Sequence, residues 1–493
     1  MSKEILINIG ESEKRIAILD KSRLQDFFIE HPHDKTIVGN IYKARIKDIV
    51  PSVGAAFVDI GQPKNGFLYL SDISGLSNKE DFDFESDQNI QPQELKLEKN
   101  KEILVQVTKE PFSGKGARLT THISLPGRYF VLMPFDRQLG ISRKIDDPEE
   151  RLRIKEILRS IKETSDYGLI VRTAAWGRDK KALSQDFYFL LNLWQKIKNA
   201  SNRSYPPSLL YEDYDLVLRT LRDYFTEEIT RLIVDSKFEY RRIYKFVSTF
   251  YRPLTKKLQL YKDRKIPLFD KFRVEEQIDE IFDKKIYLNC GGHIIIEQTE
   301  GLIVVDVNSG GFSKKKLEQE EAVFVINTEA AKEIARQLRL RDLSGIIVID
   351  FIDMQKESNR KKLLKILKIA LSEDKAKTDV VGISRLGVVE MTRERTRRSV
   401  ESIFYKDCPY CCGRGKVKSE SSIVNYVFRY LRKELNNINS RNVKVYVHPS
   451  IAKMILQEHR ASIRNLESIF RKKILILEDS TLHIEAVKVL GVS

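Results

Sequence analysis

The chain has 493 residues, of which 42% are hydrophobic and only 4 are cysteines. The length suggests about three or four folded domains, the hydrophobic fraction excludes a wholly disordered chain, and the few cysteines exclude a disulfide-stabilised scaffold. Lys and Arg number 86 against 70 Asp and Glu, so the formal net charge is +16. This charge favours an anionic partner, with nucleic acid ahead of a membrane surface.

Two short strand patterns open the chain, at residues 5–9 and 15–19, on either side of a glycine turn. So few residues cannot form a domain alone, and we expect them to complete a sheet whose other strands lie further along. No apolar run reaches the ~18 residues of a membrane-spanning helix, and the N-terminus lacks the apolar core of a signal peptide. The sequence therefore predicts no transmembrane segment.

Residues 36–125 are dense in strand signals. Apolar and basic residues alternate over 42–47, and several short strands separated by turns favour a small barrel. Phe57 and Phe67 flank a glycine-bounded turn, and Lys115 lies between glycines. On such a barrel, exposed aromatic rings can stack unpaired bases and a lysine can neutralise a phosphate. For either phenylalanine taken alone, however, packing in the core is the favoured interpretation.

Residues 126–215 mix helical and strand patterns, with a helix predicted over 148–165 and a strand over 168–173. Arg172 and Thr173 end that strand. A guanidinium beside a hydroxyl suits a terminal phosphate, so this pair is a candidate phosphate site.

Long amphipathic helices are predicted over 216–280, and a different pattern begins at about 281. There, strands are predicted over 294–297, 302–306 and 345–350, and the last is almost entirely apolar, which predicts burial on both faces. A long helix follows the second strand, with apolar residues four apart on one face. These residues are Ile326, Ala330, Ile334 and Leu338.

Two of these strands each end in a carboxylate, at Asp306 and Asp350, and Asn308 follows two residues after the first. Strand ends of α/β sheets are common positions for functional sites. Two carboxylates brought together there would repel each other unless a cation lay between them, and this oxygen-donor set suits Mg²⁺. The alternative is that each aspartate only caps the turn that follows it.

A second motif is Cys-Pro-Tyr-Cys-Cys-Gly-Arg-Gly at 408–415. Cys408 and Cys411 have the spacing of a zinc knuckle, but they supply only half of a four-cysteine site. Cys290 and Cys412 form no second pair of this kind, and two copies of the chain could together supply the four thiolates. A pair of reduced thiols is the alternative, and a redox site is disfavoured by the lack of strand–motif–helix context.

The basic run 393–398 is a further candidate for contact with nucleic acid, although a solvated helix end has the same composition.

Together these motifs resemble the ribonuclease E/G family over nearly the whole chain. The most specific stretches are Val-Asp-Val-Asn-Ser-Gly-Gly at 305–311, Ile-Ala-Arg-Gln-Leu-Arg-Leu-Arg-Asp-Leu at 334–343, Ile-Asp-Phe-Ile-Asp-Met at 349–354 and the cysteine motif at 408–415. Chance is a poor explanation for these stretches in this order and spacing.

The resemblance implies a multidomain α+β architecture in which a ribonuclease-H-like fold is split by insertions. The implied segments are the first ribonuclease-H-like piece at 1–35, an OB-fold RNA-binding barrel of the ribosomal protein S-one type at 36–125, a 5′-sensor region at 126–215, the second ribonuclease-H-like piece at 216–280, a deoxyribonuclease-I-like catalytic domain at 281–403, a zinc link at 404–416 and a small C-terminal domain at 417–493.

The resemblance also implies roles for individual residues. Asp306 and Asp350 would hold a catalytic Mg²⁺, and Asn308 would position the metal or water. The implied binding residues are Phe57, Phe67 and Lys115 for single-stranded RNA, Gly127, Val131, Arg172, Thr173 and Lys377 for a 5′-monophosphate, and Cys408 and Cys411 for a Zn²⁺ shared between two protomers. The expected assembly is a homodimer, with a tetramer of two dimers as a further expectation.

The implied activity is Mg²⁺-dependent endonucleolytic hydrolysis of single-stranded, A/U-rich RNA, which leaves 5′-phosphate and 3′-hydroxyl ends and is stimulated by a 5′-monophosphate. Ribosomal RNA precursors and messenger RNA are the implied substrates, and the bacterial cytoplasm is the implied location, with the plastid stroma as the alternative. The chain ends soon after the small domain, as in the short members of the family. A non-catalytic RNA-binding or assembly factor is the alternative function.

Overall fold

The computed structural model describes residues 3–31, 36–70, 82–84, 98–111, 116–161, 163–250, 252–310, 319–395 and 397–492. The chain divides into two compact units, Met1–Val400 and Glu401–Ser493. None of the helices in the described ranges is both long enough and apolar enough to cross a membrane.

The strands of the first unit are β1 (Lys3–Ile9), β2 (Lys14–Asp20), β3 (Arg23–Glu30), β4 (Ile41–Val50), β5 (Ala55–Asp59), β6 (Gly66–Tyr69), β7 (Phe82–Phe84), β8 (Glu102–Lys109), β9 (Arg118–Thr120), β10 (Leu125–Pro126), β11 (Phe130–Met133), β12 (Leu139–Ser142), β13 (Gly168–Val171), β14 (Ser208–Tyr211), β15 (Ile229–Val234), β16 (Leu258–Leu260), β17 (Lys285–Tyr287), β18 (His293–Gln298), β19 (Leu302–Asn308), β20 (Gly345–Asp350), β21 (Thr378–Ile383) and β22 (Val389–Arg393). Its helices are α1 (Pro148–Arg159), α2 (Lys180–Arg203), α3 (Leu216–Tyr224), α4 (Lys237–Phe250), α5 (Leu268–Lys271), α6 (Val274–Asp279), α7 (Gln319–Arg341) and α8 (Glu357–Leu371), and α9 (Val400–Phe404) lies at the boundary of the units.

The first three strands belong to a sheet with the order β16-β15-β1-β2-β3, in which β1 runs parallel to β15. Residues between β3 and β15 are therefore inserted into this sheet. Ile5 and Ile7 pack into a core with α3 and α4, whereas Leu6 faces a second core with α5 and α6. The amphipathic helices predicted over 216–280 are present but not long, because β15 and β16 interrupt them and α4, with 14 residues, is the longest described.

The insertion begins with a barrel, in which β4-β5-β6-β9-β8 closes through pairing of β8 with β4. Its interior is filled by apolar side chains such as Ala44, Val58 and Leu119. Two pairings connect it with the next region in sequence: β14 adds to β4, and β7 pairs with β12. That region forms the sheet β10-β11-β13-β12-β7, on which α2 packs through Phe187 and Leu190.

The last sheet of the first unit has the order β17-β18-β19-β20-β22-β21. Helices α7 and α8 cover one face, and the predicted apolar stripe of α7, Ile326 to Leu338, is buried there, which confirms that prediction. The other face is open in this unit: Ile346 is 52% exposed and Val304 is 38% exposed. The prediction that β20 is buried on both faces is therefore wrong.

The second unit contains α10 (Glu420–Asn437), β23 (Asn442–Val447), α11 (Pro449–Glu458), α12 (Arg460–Phe470), β24 (Lys473–Glu478) and β25 (Val487–Val492). The sheet order is β24-β23-β25, with β23 parallel to β24 and antiparallel to β25. The three helices share one core with alternate residues of the strands, among them Val443 and Val445.

Candidate active site and RNA interface

The two predicted carboxylates lie side by side on the open face of the last sheet. Strands β19 and β20 are parallel, and Asp306 is the register partner of Asp350. Because their chain neighbours Val305 and Ile349 are buried against the helices, both aspartates project to the opposite, open side. Asn308 reaches the same place and donates from Nδ2 to Oδ2 of Asp306 over 2.8 Å.

Two buried contacts hold these strand ends in place. Gly292 lies against the backbone of Asn308, where a Cβ would come within 2.9 Å of the Asn308 carbonyl oxygen. Asn327 of α7 is fully buried, donates to the carbonyl oxygen of Ile352 over 2.8 Å and accepts from its N–H over 3.1 Å. The segment that follows Asp350 is thereby fixed to α7. No motif pointed to Asn327 in the sequence, because its role depends on a contact 25 residues away.

The donor set fits a cation that keeps water ligands. Two carboxylates and an amide oxygen match the few protein ligands that Mg²⁺ takes when a substrate phosphate and waters complete its shell. Within the described ranges, no cluster of three or more His, Cys, Asp or Glu side chains could enclose a metal ion.

On the barrel, Phe57 and Phe67 lie on the outer surface. They are register partners on β5 and β6, with ring centroids 5.6 Å apart at 78°. Tyr69 extends the row, 4.7 Å from Phe67, and the guanidinium of Arg118 lies 4.7 Å from the Tyr69 ring centroid. Core packing, the favoured interpretation for either phenylalanine taken alone, is wrong, since other side chains form the barrel interior. Tyr69 and Arg118 were missed in the sequence, and Lys115 lies outside the described residues.

Four of the five predicted phosphate-sensing residues come together beside β11 and β13. Arg172 donates from Nη1 to the carbonyl oxygen of Gly127 over 2.8 Å. Val131 is the register partner of Ile170, near the end of β13 that precedes Arg172. Thr173 is exposed, and its hydroxyl lies 3.2 Å from that of Ser142.

Gly127 is required by a close approach of the buried Asp186. A Cβ at position 127 would lie 2.7 Å from Asp186 Oδ2. The Asp186 carboxylate accepts backbone hydrogen bonds from Arg128, Tyr129 and Phe130 at 2.8 to 3.1 Å. Burial raises the pKa of Asp186, and these N–H groups oppose that shift. The Asp186 carboxylate thus holds the loop that carries Gly127 in place through three hydrogen bonds.

Arg172 is also held by a carboxylate that the sequence did not reveal. Its Nη2 donates to Asp223 over 2.8 Å, and Arg222 donates to the same side chain. Burial disfavours the charged form of Asp223, but the two guanidinium groups outweigh this effect of burial and lower the pKa of Asp223 to about 2.

The fifth predicted residue, Lys377, lies close in sequence to a lysine that contacts Asp223. Lys375 donates from Nζ to the Asp223 carbonyl oxygen over 3.2 Å. Lys377 is exposed, two residues further on, and its carbonyl accepts from Glu394.

The basic run 393–398 is in part structural, so its prediction as a nucleic-acid contact is wrong for Arg393. Arg393 is buried and pairs with Asp342 and Asp374, each at 2.7 Å. Arg397 pairs with Asp342 at 3.1 Å.

In the second unit, the cysteine motif forms a tight turn. Hydrogen bonding by the backbone N–H of Cys411 lowers the pKa of the Cys408 thiol. Gly415 donates its N–H to the Cys411 sulfur over 3.2 Å. The adjacent Cys412 has a φ of 52°. Two thiols with backbone donors resemble half of a knuckle site.

The profile described as "Ribonuclease E/G family" matches residues 124–396, "S1 RNA binding domain" matches 35–121, and "RNase E/G, Thioredoxin-like domain" matches 407–491. Ribonuclease G of Escherichia coli (strain K12) is 38% identical over 97% of each chain. The chain belongs to the ribonuclease E/G family.

As a family member it is an endoribonuclease with an S1 RNA-binding domain, a catalytic region and a thioredoxin-like domain in a mixed α+β fold. Ribonuclease G of Haemophilus influenzae is 38% identical over 92% of each chain. Ribonuclease E of the same organism is 37% identical over 96% of this chain but only 50% of its own length. The alternative of a non-catalytic RNA-binding factor is thereby set aside.

Proposed function

We propose that the chain hydrolyses single-stranded RNA with Mg²⁺ held by Asp306 and Asp350. The observation that carries this proposal is the register pairing of these two aspartates on the open sheet face, with Asn308 bonded to the first. When bound there, Mg²⁺ would lower the pKa of an attacking water and offset charge on the phosphate oxygens. Asn308 orients the Asp306 carboxylate, and the products are 5′-phosphate and 3′-hydroxyl ends.

The aromatic row on the outer surface of the barrel is the proposed binding surface for the RNA. Phe57, Phe67 and Tyr69 offer faces for bases, which is a sequence-tolerant mode of binding. We assign the preference for A/U-rich RNA to this surface, and Lys115 is proposed as a further contact with the RNA. The proposed substrates are ribosomal RNA precursors and messenger RNA in the bacterial cytoplasm.

A 5′-monophosphate is proposed to bind where Arg172, Thr173, Gly127 and Val131 converge, with Lys377 as a further cation. Docking of one end of the RNA there would raise its effective concentration at the catalytic face. The assembly is proposed to be a homodimer in which Cys408 and Cys411 of each chain bind one Zn²⁺, and two dimers would give a tetramer.

The metal assignment is tested with Asp306→Asn and Asp350→Asn on a 5′-monophosphorylated, A/U-rich oligonucleotide at fixed Mg²⁺. We expect each variant to cleave about 100-fold or more slowly, because several kcal/mol of charge stabilisation is lost. Asp379→Asn, an exposed carboxylate on β21 of the same sheet, is the matched control and should keep the wild-type rate. Near wild-type cleavage by either folded site variant would overturn the assignment.

A further inference from the structure

One row of side chains crosses the open sheet face next to the catalytic residues. Tyr287 of β17 is the register partner of His293 of β18, and His293 is the register partner of Asn308. Directly opposite residues of neighbouring strands project to the same side of a sheet. The row Tyr287–His293–Asn308 therefore lies on the face of Asp306 and Asp350.

The outer part of this row is aromatic and open. Tyr287 is 74% exposed, and its ring centroid lies 6.1 Å from that of His293 at an interplanar angle of 50°. Lys285 precedes it on the same strand by two residues and places Nζ 4.9 Å from the Tyr287 centroid. Burial of the His293 ring and the Lys285 charge lower the pKa of His293, and the Asp306 charge opposes this shift.

A contribution to folding alone explains little of the arrangement of Tyr287, His293 and Lys285. Tyrosine is favoured in strands because it packs against neighbours on a half-buried surface, yet this ring leaves most of its area in water. A cross-strand aromatic pair contributes at most about 1 kcal/mol to folding. In contrast, an exposed aromatic ring beside an amine is suited to nucleic acid, because the ring can stack on a base and the amine can pair with the neighbouring phosphate.

We propose that Tyr287 and His293 form a stacking subsite for one unpaired base of the RNA strand that is cut at Asp306 and Asp350. The inference rests on the proposed function and adds a substrate-binding contact to it. Neighbouring strands lie about 4.8 Å apart, so two strand spacings separate Tyr287 from Asn308. A base lying on the rings would leave its neighbouring phosphate beside the carboxylates, with Lys285 facing the backbone.

The subsite makes a specific kinetic prediction. Loss of a stacked base weakens binding without removing any group that acts on the phosphate. Tyr287→Ala should therefore raise KM by roughly ten-fold or more and leave kcat within about two-fold. Tyr287→Phe keeps the ring and should restore the wild-type KM. His293→Ala should raise KM less than Tyr287→Ala, because its ring is the less exposed of the two.

The control is Tyr205→Ala, an 89% exposed tyrosine outside the proposed RNA contacts, which should leave KM unchanged. Circular dichroism and thermal unfolding of each variant separate a lost contact from a lost fold. Stacking itself is read from 2-aminopurine placed in turn at each position of the oligonucleotide, with Asp350→Asn in the background so that the strand stays intact. Quenching at one position, lost in Tyr287→Ala and regained in Tyr287→Phe, is the expected result.

An unchanged KM for folded Tyr287→Ala, or quenching that persists in it, would overturn the subsite. If the wild type cuts RNA in the same assay, the proposed catalysis stands and only the subsite fails. If the wild type itself does not cut RNA, the proposed function fails, while the 2-aminopurine signal still shows whether a base binds these rings.

Discussion

At the residue scale, Gly127 shows how one missing side chain maintains the shape of the proposed 5′-phosphate site. Its Cα lies so close to the Asp186 carboxylate that a Cβ would approach Oδ2 to 2.7 Å. Asp186 cannot move away easily, because it also accepts three backbone hydrogen bonds from the same loop. The Gly127 carbonyl, in turn, is what Arg172 binds. A methyl group at 127 therefore has to displace the loop.

We predict that Gly127→Ala reduces the advantage of a 5′-monophosphorylated substrate over a 5′-hydroxyl one. The rate on the 5′-hydroxyl substrate should stay within about two-fold, because the catalytic face is untouched. Paired cleavage assays on the two substrates measure the ratio. Gly301→Ala is the control, since nothing lies within 4 Å of a Cβ at that position. An unchanged ratio in Gly127→Ala would show that this loop does not sense the 5′ end.

At the element scale, Asp223 at the end of α3 joins Arg222 to Arg172, one of the proposed sensing residues. The side chains of Arg222 and Asp223 are only 8% and 18% exposed. Breaking such a pair leaves a guanidinium without its counter-charge in a poorly hydrated position. Asp223 therefore contributes to folding and also fixes the direction of Arg172.

We predict that Asp223→Asn lowers the free energy of unfolding at pH 7 by about 3 kcal/mol. The pKa of Asp223 is about 2 in the folded chain against an ordinary 3.8. A lowered carboxylate pKa stabilises the fold above the ordinary value, and this contribution is lost as the pH falls through the folded value. The difference between variant and wild type should therefore shrink between pH 4 and pH 2.

Urea unfolding followed by circular dichroism at several pH values tests this. Glu228→Gln, which removes an exposed ion pair with Lys3, should change stability by less than about 1 kcal/mol. A similar small effect for Asp223→Asn at pH 7 would contradict the role of the buried pair.

Some features of these elements could be predicted from the sequence, and others could not. The stripe from Ile326 to Leu338 and the strands ending at Asp306 and Asp350 follow from local periodicity, so they were predictable. The open face of β20 was not, because an apolar strand looks the same whether or not a second layer covers it. Asp223 and Tyr287 were missed because only tertiary pairing, with Arg172 and with the row ending at Asn308, gives them a role.

At the scale of the whole molecule, the cysteine motif predicts that two chains share one Zn²⁺. Each chain offers Cys408 and Cys411 as a convergent pair of thiols, and a tetrahedral site needs four ligands. Cys408→Ser should therefore halve the mass measured by light scattering and abolish the content of one zinc per two chains. Treatment with a strong chelator should have the same effect.

Cys412→Ser is the matched control, because Cys412 is adjacent in the chain but outside the predicted pair, and it should leave mass and zinc content unchanged. A Cys408→Ser protein with the wild-type mass would remove the shared-zinc hypothesis. The effect on cleavage is a separate readout, since Asp306 and Asp350 lie in the other unit of the chain.

The central claim is that the paired strand ends of β19 and β20 bind the Mg²⁺ that acts on RNA. The most direct measurement is the single-turnover cleavage rate as a function of Mg²⁺ concentration, for the wild type and for Asp350→Asn. We predict that the wild-type rate rises from background in metal-free buffer to a plateau, whereas the variant stays about 100-fold or more below it. Wild-type cleavage at full rate in metal-free buffer, or superimposable curves for the two proteins, would contradict the account.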